Sequence, residues 1–256
     1  MKNLKIAKIQ EKLKKNNIDA LIINRTDEFL NEYISPDAER LFWVTNFSGS
    51  AGRAIINQNT SSLFVDGRYT FQAKEQIDDD FISLLHLNDF SKELNKLIDK
   101  NKCVALDPKL HSIEEVNKII KLANKNEAKL HFTNPNLIDE LWIDKPKRKY
   151  SSIFDHPINY AGINRSNKVD QFIQELKNNH LDSYFLSSLD SIAWLLNLRG
   201  DDILYTPLAF AYLFISIESK PVLYLCIEKL NTDLKIRLNK CLTLEPIEKI
   251  DNIFNN

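Results

Sequence analysis

The stretches WVTNFSG (43–49) and WLLNLRG (194–200) share one spelling: Trp, two residues, Asn, an apolar residue, any residue, Gly. In a chain of 256 residues with three Trp and five Gly, two copies of a pattern built from the scarcest residues constrain the fold more than any bulk property. Their surroundings repeat as well. Ahead of the first copy, KKNNIDALIIN (14–24) runs from a helix-like segment into an apolar stretch, and KNNHLDSYFLSS (177–188) does the same ahead of the second. After the first copy, RAIINQNTSSLFVDGRY (53–69) reads as two apolar strands around a turn rich in Asn, Ser and Thr. AFAYLFISIESKPVLYLCI (209–227) again reads as strand, polar turn, strand. Helix, strand, short Trp-bearing helix, hairpin and helix thus recur in one order, which predicts a duplicated unit. Two long copies, not three or more short ones, point to two related domains and away from a solenoid.

Beyond the first hairpin, helix-like YTFQAKEQI (69–77), FSKELNKLID (90–99), IEEVNKIIKLANK (113–125) and NLIDELW (136–142) alternate with strand-like FISLLHL (81–87), CVALD (103–107) and KLHFTN (129–134). This alternation predicts α/β domains, each a mixed sheet flanked by helices. The first domain is expected over 1–149, a polar linker over 150–160, and the second domain over 161–256. The second copy stops early. If IEKIDNIF (247–254) matches FSKELNKLI (90–98), nothing answers residues 101–142, which carry two strands and two helices. A domain cut there would leave a sheet edge open and a core uncovered. The second domain is therefore expected to be incomplete at its C-terminal end, and the natural protein to continue past Asn256.

Hydrophobic content of 43% and charged content of 27% are those of a soluble globular protein. A net charge of -1 leaves no electrostatic footprint for nucleic acid or an anionic membrane. The longest uninterrupted apolar run, Leu208 to Ile215, is far too short to span a bilayer. MKNLKIAKIQEKLKK (1–15) alternates charges with Leu4, Ile6, Ile9 and Leu13, so it reads as an amphipathic helix and not as a signal peptide. Cys103, Cys226 and Cys241 read as three buried thiols in a reducing, cytoplasmic setting.

Each stretch that suggests chemistry has a structural rival. SGSAG (48–52) approaches the Gly-x-Ser-x-Gly nucleophile elbow, but Ser48 replaces the first Gly and strands come next, so a turn opening a hairpin explains Ser50 without catalysis. A phosphate cradle on the same glycines lacks the Lys of a P-loop. DPKLHSIEE (107–115) gathers potential metal ligands, yet Ser112 followed by Glu115 ahead of an apolar-periodic run is a capping box. His86, His131, His156 and His180 are scattered. The acidic run Asp78 to Asp80 reads as a solvated loop, and KPKRK (145–149) as a solvated linker. In DGRY (66–69), Asp66 ends a strand and can cap the next helix and pair with Arg68, with Gly67 supplying a turn of positive φ.

In order, NEYISPDAERLFWVTNFSGSAGRAII (31–56), FVDGRYTFQA (64–73), NLIDELW (136–142) and LDSIAWLLNLRGDD (189–202) resemble the N-terminal part of aminopeptidase P, the Xaa-Pro aminopeptidases of the creatinase/prolidase superfamily. The resemblance covers nearly the whole chain. It implies two creatinase/prolidase N-terminal-like domains with a ribonuclease H-like motif, ahead of a third, catalytic domain. That third domain holds two divalent metals, usually manganese, which activate a hydroxide and polarise the carbonyl before proline. The family's first Asp ligand lies in an Asp-Ser-Gly context. Here Asp182-Ser183 precedes Tyr184 and Asp190-Ser191 precedes Ile192, so no metal ligand carries over. The resemblance thus implies a chain that binds no cofactor itself and is inactive alone, from a cytoplasmic homodimeric enzyme that removes the residue ahead of proline from short peptides. The two domains would then gate the substrate and assemble the oligomer, and Tyr33, Asp66 and Arg68 are the residues expected to reach a peptide. A stand-alone, non-catalytic binding module and a prolidase- or creatinase-like relative remain as alternatives; the long two-domain region speaks against the relative.

Overall fold

The computed structural model describes residues 4–254, which form two compact units, Met1–Lys147 and Arg148–Asn256. The first holds α1 (Leu4–Lys15), β1 (Ala20–Asn24), α2 (Arg40–Thr45), β2 (Gly52–Asn57), β3 (Ser61–Val65), α3 (Thr70–Gln76), β4 (Ser83–His86), α4 (Phe90–Leu97), β5 (Cys103–Leu106), α5 (Ile113–Lys125), β6 (Lys129–Phe132) and α6 (Leu137–Leu141). The strands form one sheet in the order β4-β3-β2-β1-β5-β6. β2 runs against β1 and β3, whereas β1, β3, β4, β5 and β6 share one direction.

Alternation along the strands sends side chains to two cores. Leu21, Ile23, Ala54, Ile56, Leu63 and Val65 join one, with Ile6, Ile9 and Leu13 of α1 and Leu41 and Val44 of α2. Ala20, Ile22, Ile55 and Phe64 join the other, with Phe90 and Leu94 of α4 and Ile119 and Ala123 of α5. Every residue of β1 is buried, as a strand covered on both faces requires.

The second unit holds β7 (Phe154–Asp155), α7 (Ile158–Ala161), α8 (Arg165–Asn178), β8 (Ser183–Leu186), α9 (Leu189–Leu196), β9 (Leu198–Arg199), β10 (Ala211–Ser216), β11 (Val222–Leu225), α10 (Thr232–Asn239) and β12 (Thr243–Pro246). Its main sheet runs β12-β11-β10-β8, with β10 antiparallel to both neighbours and β12 parallel to β11. This reproduces β4-β3-β2-β1 of the first unit. Among the described residues nothing pairs with β8 on its other side, where β1 meets β5. Ala211, Leu213 and Ile215 are buried in one core while Tyr212, Phe214 and Ser216 between them stay half-buried, so only one face is fully covered. The segment 247–254, matched by sequence to α4, is a 3-10 helix here.

The repeated spelling proves to be a helix stop. Asn46 caps α2 with φ 62° and Asn197 caps α9 with φ 50°, both left-handed, a conformation Asn tolerates better than most non-glycine residues. In both units a lysine from the preceding long helix donates to the Trp carbonyl three residues before this Asn, one of the carbonyls at a helix end. Lys5 Nζ donates to the Trp43 carbonyl at 2.7 Å, and Lys168 Nζ to the Trp194 carbonyl, also at 2.7 Å. Each ammonium also lies over the indole, at 5.3 Å and 4.3 Å from the ring centroid. The glycine permits close approach: a Cβ on Gly49 would sit 2.3 Å from the Phe47 ring, and one on Gly200 2.7 Å from the Ala209 Cβ.

Two expectations need correction, one for Gly67 and one for the cysteines. Gly67 does not have a positive φ; among the described glycines only Gly162 does. The three cysteines are free but only partly buried: Cys103 opens β5, Cys226 follows β11 and Cys241 follows α10. Residues 150–160, expected as a linker, carry contacts within the second unit: β7 pairs with β9, Ile153 is buried, and Asp155 accepts hydrogen bonds from Arg165 and Arg237. No helix among the described residues is long and apolar enough to cross a membrane.

The two helix stops predict unequal mutational costs. Asn197 is buried, accepts from Lys168 at 2.8 Å and donates to the Ile163 carbonyl at 2.9 Å, so Asn197→Ala should cost about 2–4 kcal/mol. Asn46 is exposed, so Asn46→Ala should cost only about 1 kcal/mol and Asn46→Gly close to nothing. Urea unfolding of the three variants measures the difference.

Candidate functional site

Because β1, β3, β4, β5 and β6 run the same way, their carboxyl ends meet at one rim of the first unit, the edge at which α/β sheets place their ligands. Two groups of polar side chains gather there.

The first forms around the end of β3. Asp66 caps the 3-10 turn Gly67–Tyr69: its Oδ1 accepts from Arg68 N at 3.0 Å and from Arg68 Nε at 2.7 Å. These hydrogen bonds hold the Asp66 carboxyl below its ordinary range and raise Arg68. The Arg68 guanidinium lies 5.4 Å over the Tyr69 ring, and the Tyr69 hydroxyl meets Ser50 Oγ at 2.7 Å. Ser48 Oγ accepts from Gln72 and Gln76 at 3.0 and 2.8 Å. Arg68 remains 69% exposed and available to a ligand. Tyr33 is also exposed, and its neighbour Glu32 adds negative charge near Arg68. No hydrogen bond or ring contact among the described residues joins Tyr33 to Asp66 or Arg68, so the structure brings together two of the three expected residues. Ser50 faces a phenol and no imidazole, which is not the arrangement of an activated nucleophile.

The second group is not legible in the sequence. At the end of β1, Asn24 Nδ2 donates to the Leu110 carbonyl at 3.2 Å, and its Oδ1 accepts from Arg53 Nε at 2.7 Å. Arg53 also pairs with Glu115 of α5 and stacks 4.1 Å over the Phe90 ring. The Arg25 side chain is buried, held by Glu39 at 2.8 Å and by the Glu32 carbonyl at 2.8 Å. Nearby, Asp27 accepts from the backbone of Phe29 and Asn31, both at 3.0 Å, tying down the loop after β1; burial pushes its carboxyl upward. Ser112 Oγ accepts from Glu115 N at 3.2 Å, which is half of the expected capping box. The other half is absent because the Glu115 carboxylate goes to Arg53. His111 Nδ1 meets the Asp107 carbonyl at 2.8 Å, while its buried Nε2 has no partner. Burial pushes this imidazole below its ordinary value.

Asn24, Arg25, Thr26, Leu30, Arg53, Leu110, His111, Ser112 and Glu115 line an open cleft of about 260 Å³. It sits between β1, which leads to β2, β3 and β4 on one side, and β5, which leads to β6 on the other. Among the described residues, no three His, Cys, Asp or Glu side chains are grouped to hold a metal. The rim offers hydrogen bonds and charge for binding.

Residues 5–140 match the family described as Creatinase/Prolidase N-terminal domain, and residues 144–256 match a second family of the same description. A Talaromyces marneffei protein named probable Xaa-Pro aminopeptidase P is 33% identical over 96% of this chain and 38% of its own length. A like-named protein of Paracoccidioides brasiliensis is 32% identical over 96% of this chain and 41% of its own. The chain thus spans about two fifths of the curated relatives it matches. In three dimensions it resembles a Caenorhabditis elegans X-prolyl aminopeptidase, described as a cytosolic enzyme with a di-nuclear active site. The TM-score is 0.91 at 24% identity, covering 98% of this chain and 43% of that one.

The buried imidazole predicts an acid sensitivity. With the folded His111 value below the ordinary 6.5, the unfolded chain binds more protons between those two values. Its share of stability is therefore fully present above about pH 6.5 and lost as the pH falls toward the folded value. Chemical unfolding at pH 7.5 and 5.5 should show a drop in the protein that is smaller in His111→Phe.

Proposed function

The chain belongs to the creatinase/prolidase N-terminal domain family, and from that premise we propose that it is the substrate-gating and assembly portion of a metal-dependent Xaa-Pro aminopeptidase. The observation that carries this reading is the collinear match of both units, over 96% of the chain, to proteins named Xaa-Pro aminopeptidase P. The unpaired edge of β8 and the half-covered face of its sheet support a longer protein, since the equivalent edge and face of the first unit are closed by β5, β6, α4 and α5. Among the described residues no three His, Cys, Asp or Glu side chains are grouped to hold a metal, and on this reading the metals, manganese by family resemblance, and the bond-breaking step belong to a separate domain. On this reading the chain alone hydrolyses nothing, and the complete enzyme is a cytoplasmic homodimer acting on short peptides with proline second.

Asp66, Arg68 and Tyr33 are the proposed peptide contacts. Arg68 is held by Asp66 yet stays largely exposed, so it is positioned before a ligand arrives, which lowers the entropy cost of binding. Two measurements test the proposal. Manganese-loaded longer protein should cleave an Ala-Pro-Ala tripeptide after the first residue, and the 256-residue chain should not; a native reading frame that closes directly after Asn256 would refute the assignment. In the longer protein, Arg68→Ala should raise KM severalfold with little change in kcat or melting temperature. A lowered melting temperature with unaltered KM would return Arg68 to a structural role.

A further inference from the structure

In the first unit one side chain receives the parallel strand β5. Asp19, the residue directly ahead of β1, accepts from Cys103 N through Oδ2 at 2.8 Å and from Lys102 Nζ through Oδ1 at 3.0 Å, and its own N–H donates to the Cys103 carbonyl at 2.7 Å. Charge-assisted bonds of this kind fix where β5 starts, and with it the register that sets Ala20 beside Val104 and Leu21 beside Ala105. That register matters because Val104 and Leu106 enter one core and Ala105 the other, so a slip of one residue would exchange them.

The second unit repeats the receiving side chain. In NNIDALIIN (16–24) and NNHLDSYFL (178–186), Asp182 stands directly ahead of β8 as Asp19 does ahead of β1. Each aspartate follows a left-handed residue two positions earlier, Asn17 with φ 55° and His180 with φ 57°. Asp182 is exposed; its carbonyl accepts from Ile217 N at 3.0 Å, and among the described residues no hydrogen bond or ion pair engages its carboxylate. The outer edge of β8 is likewise unpaired among the described residues, at the position where β1 meets β5.

A parallel neighbour has to arrive by a crossover. The first unit makes its crossover over residues 87–102, through α4, and one of the same length from Pro246, where β12 ends, delivers its strand a few residues beyond Asn256. The curated relatives are more than twice as long as this chain, which leaves room for such a segment. A second copy of β8 fits less well, since laid parallel it would set one Asp182 against another.

We infer that Asp182 anchors a strand that pairs with β8 in parallel, and that this strand is an apolar run with a lysine or arginine directly ahead of it, supplied by the polypeptide that follows Asn256. The inference rests on the longer protein of the preceding reading, whatever reaction that protein performs.

Hydrogen exchange, followed by mass spectrometry on peptides spanning residues 182–187, tests it without any substitution. In the longer protein these amides should exchange at least about tenfold more slowly than in the 256-residue chain. Asp182→Ala should speed their exchange severalfold in the longer protein and leave the 256-residue chain unchanged, whereas Asp19→Ala should loosen residues 103–106 in both. Equal exchange in the two unaltered proteins would overturn the proposal, and so would full protection in Asp182→Ala. Protection that appears in the 256-residue chain as its concentration rises would give the edge to a second copy and overturn the assignment as stated. Cleavage of Ala-Pro-Ala separates this inference from the reading beneath it. A longer protein that protects β8 but leaves the tripeptide intact refutes the aminopeptidase and keeps the strand; one that cleaves the tripeptide while β8 exchanges freely does the reverse.

Discussion

The fold of each unit depends on stopping a short helix at the right residue. In the first, α2 packs on the sheet and must end within its own six residues so that the chain can turn back as β2, against the direction of its neighbours. A left-handed Asn46 ends it, Phe47 is buried under the turn, and Gly49 and Gly52 pass where a side chain would meet the Phe47 ring. The cost of the left-handed residue is about 1 kcal/mol, small beside the apolar side chains that the reversal lets β2 bury on both faces. With β2 reversed, β1 and β3 share a direction and their carboxyl ends share a rim. Arg25 at the end of β1, Arg53 near the start of β2 and Asp66 at the end of β3 reach that rim for this reason alone.

The second unit keeps this device and discards the rim. Lys168 is more deeply buried than Lys5 and lies closer to its indole, and burial pushes its ammonium value down. Beyond the hairpin the two units diverge. Asp66, which caps a turn and holds Arg68, has Cys226 in its place after β11, and that residue makes no side-chain cap. Arg53 has Tyr212 in its place as second residue of the hairpin, stacked on Phe185 at 5.6 Å. The shared residues are therefore those that shape the backbone, and the residues with chemistry on them belong to the first unit.

That division explains which features are legible in the sequence and which are hidden. Strand alternation over 53–65, the Ser112 cap and the Asp66–Arg68 pair are local, and each can be read from neighbours in the chain. The Arg53–Glu115 pair spans 62 positions and exists only because β1 lies between β2 and β5, an adjacency no local pattern states. It also overrides a local rule: a charged, partly buried partner outcompetes the backbone N–H that the capping box would have offered Glu115. In the sequence His111 is one ligand candidate in a polar cluster, and its significance lies in a missing partner, which only coordinates can reveal. The expectation of a positive φ fails at Gly67 because a turn after Asp can be built with ordinary φ when the carboxylate caps the next residues. At residues 150–160 polar composition suggests solvent, whereas Asp155 spends its charge on two arginines.

Among the described residues the outer edge of β8 is unpaired, which matters to anyone handling this polypeptide. Ser183 to Leu186 present backbone donors and acceptors along a strand whose Tyr184 side chain is exposed, next to a sheet face clothed only in part. Such an edge is a template for another strand, and a second molecule can supply one. Self-association through that edge would rise with concentration, so a sedimentation profile of these two units would report on an exposed backbone ladder.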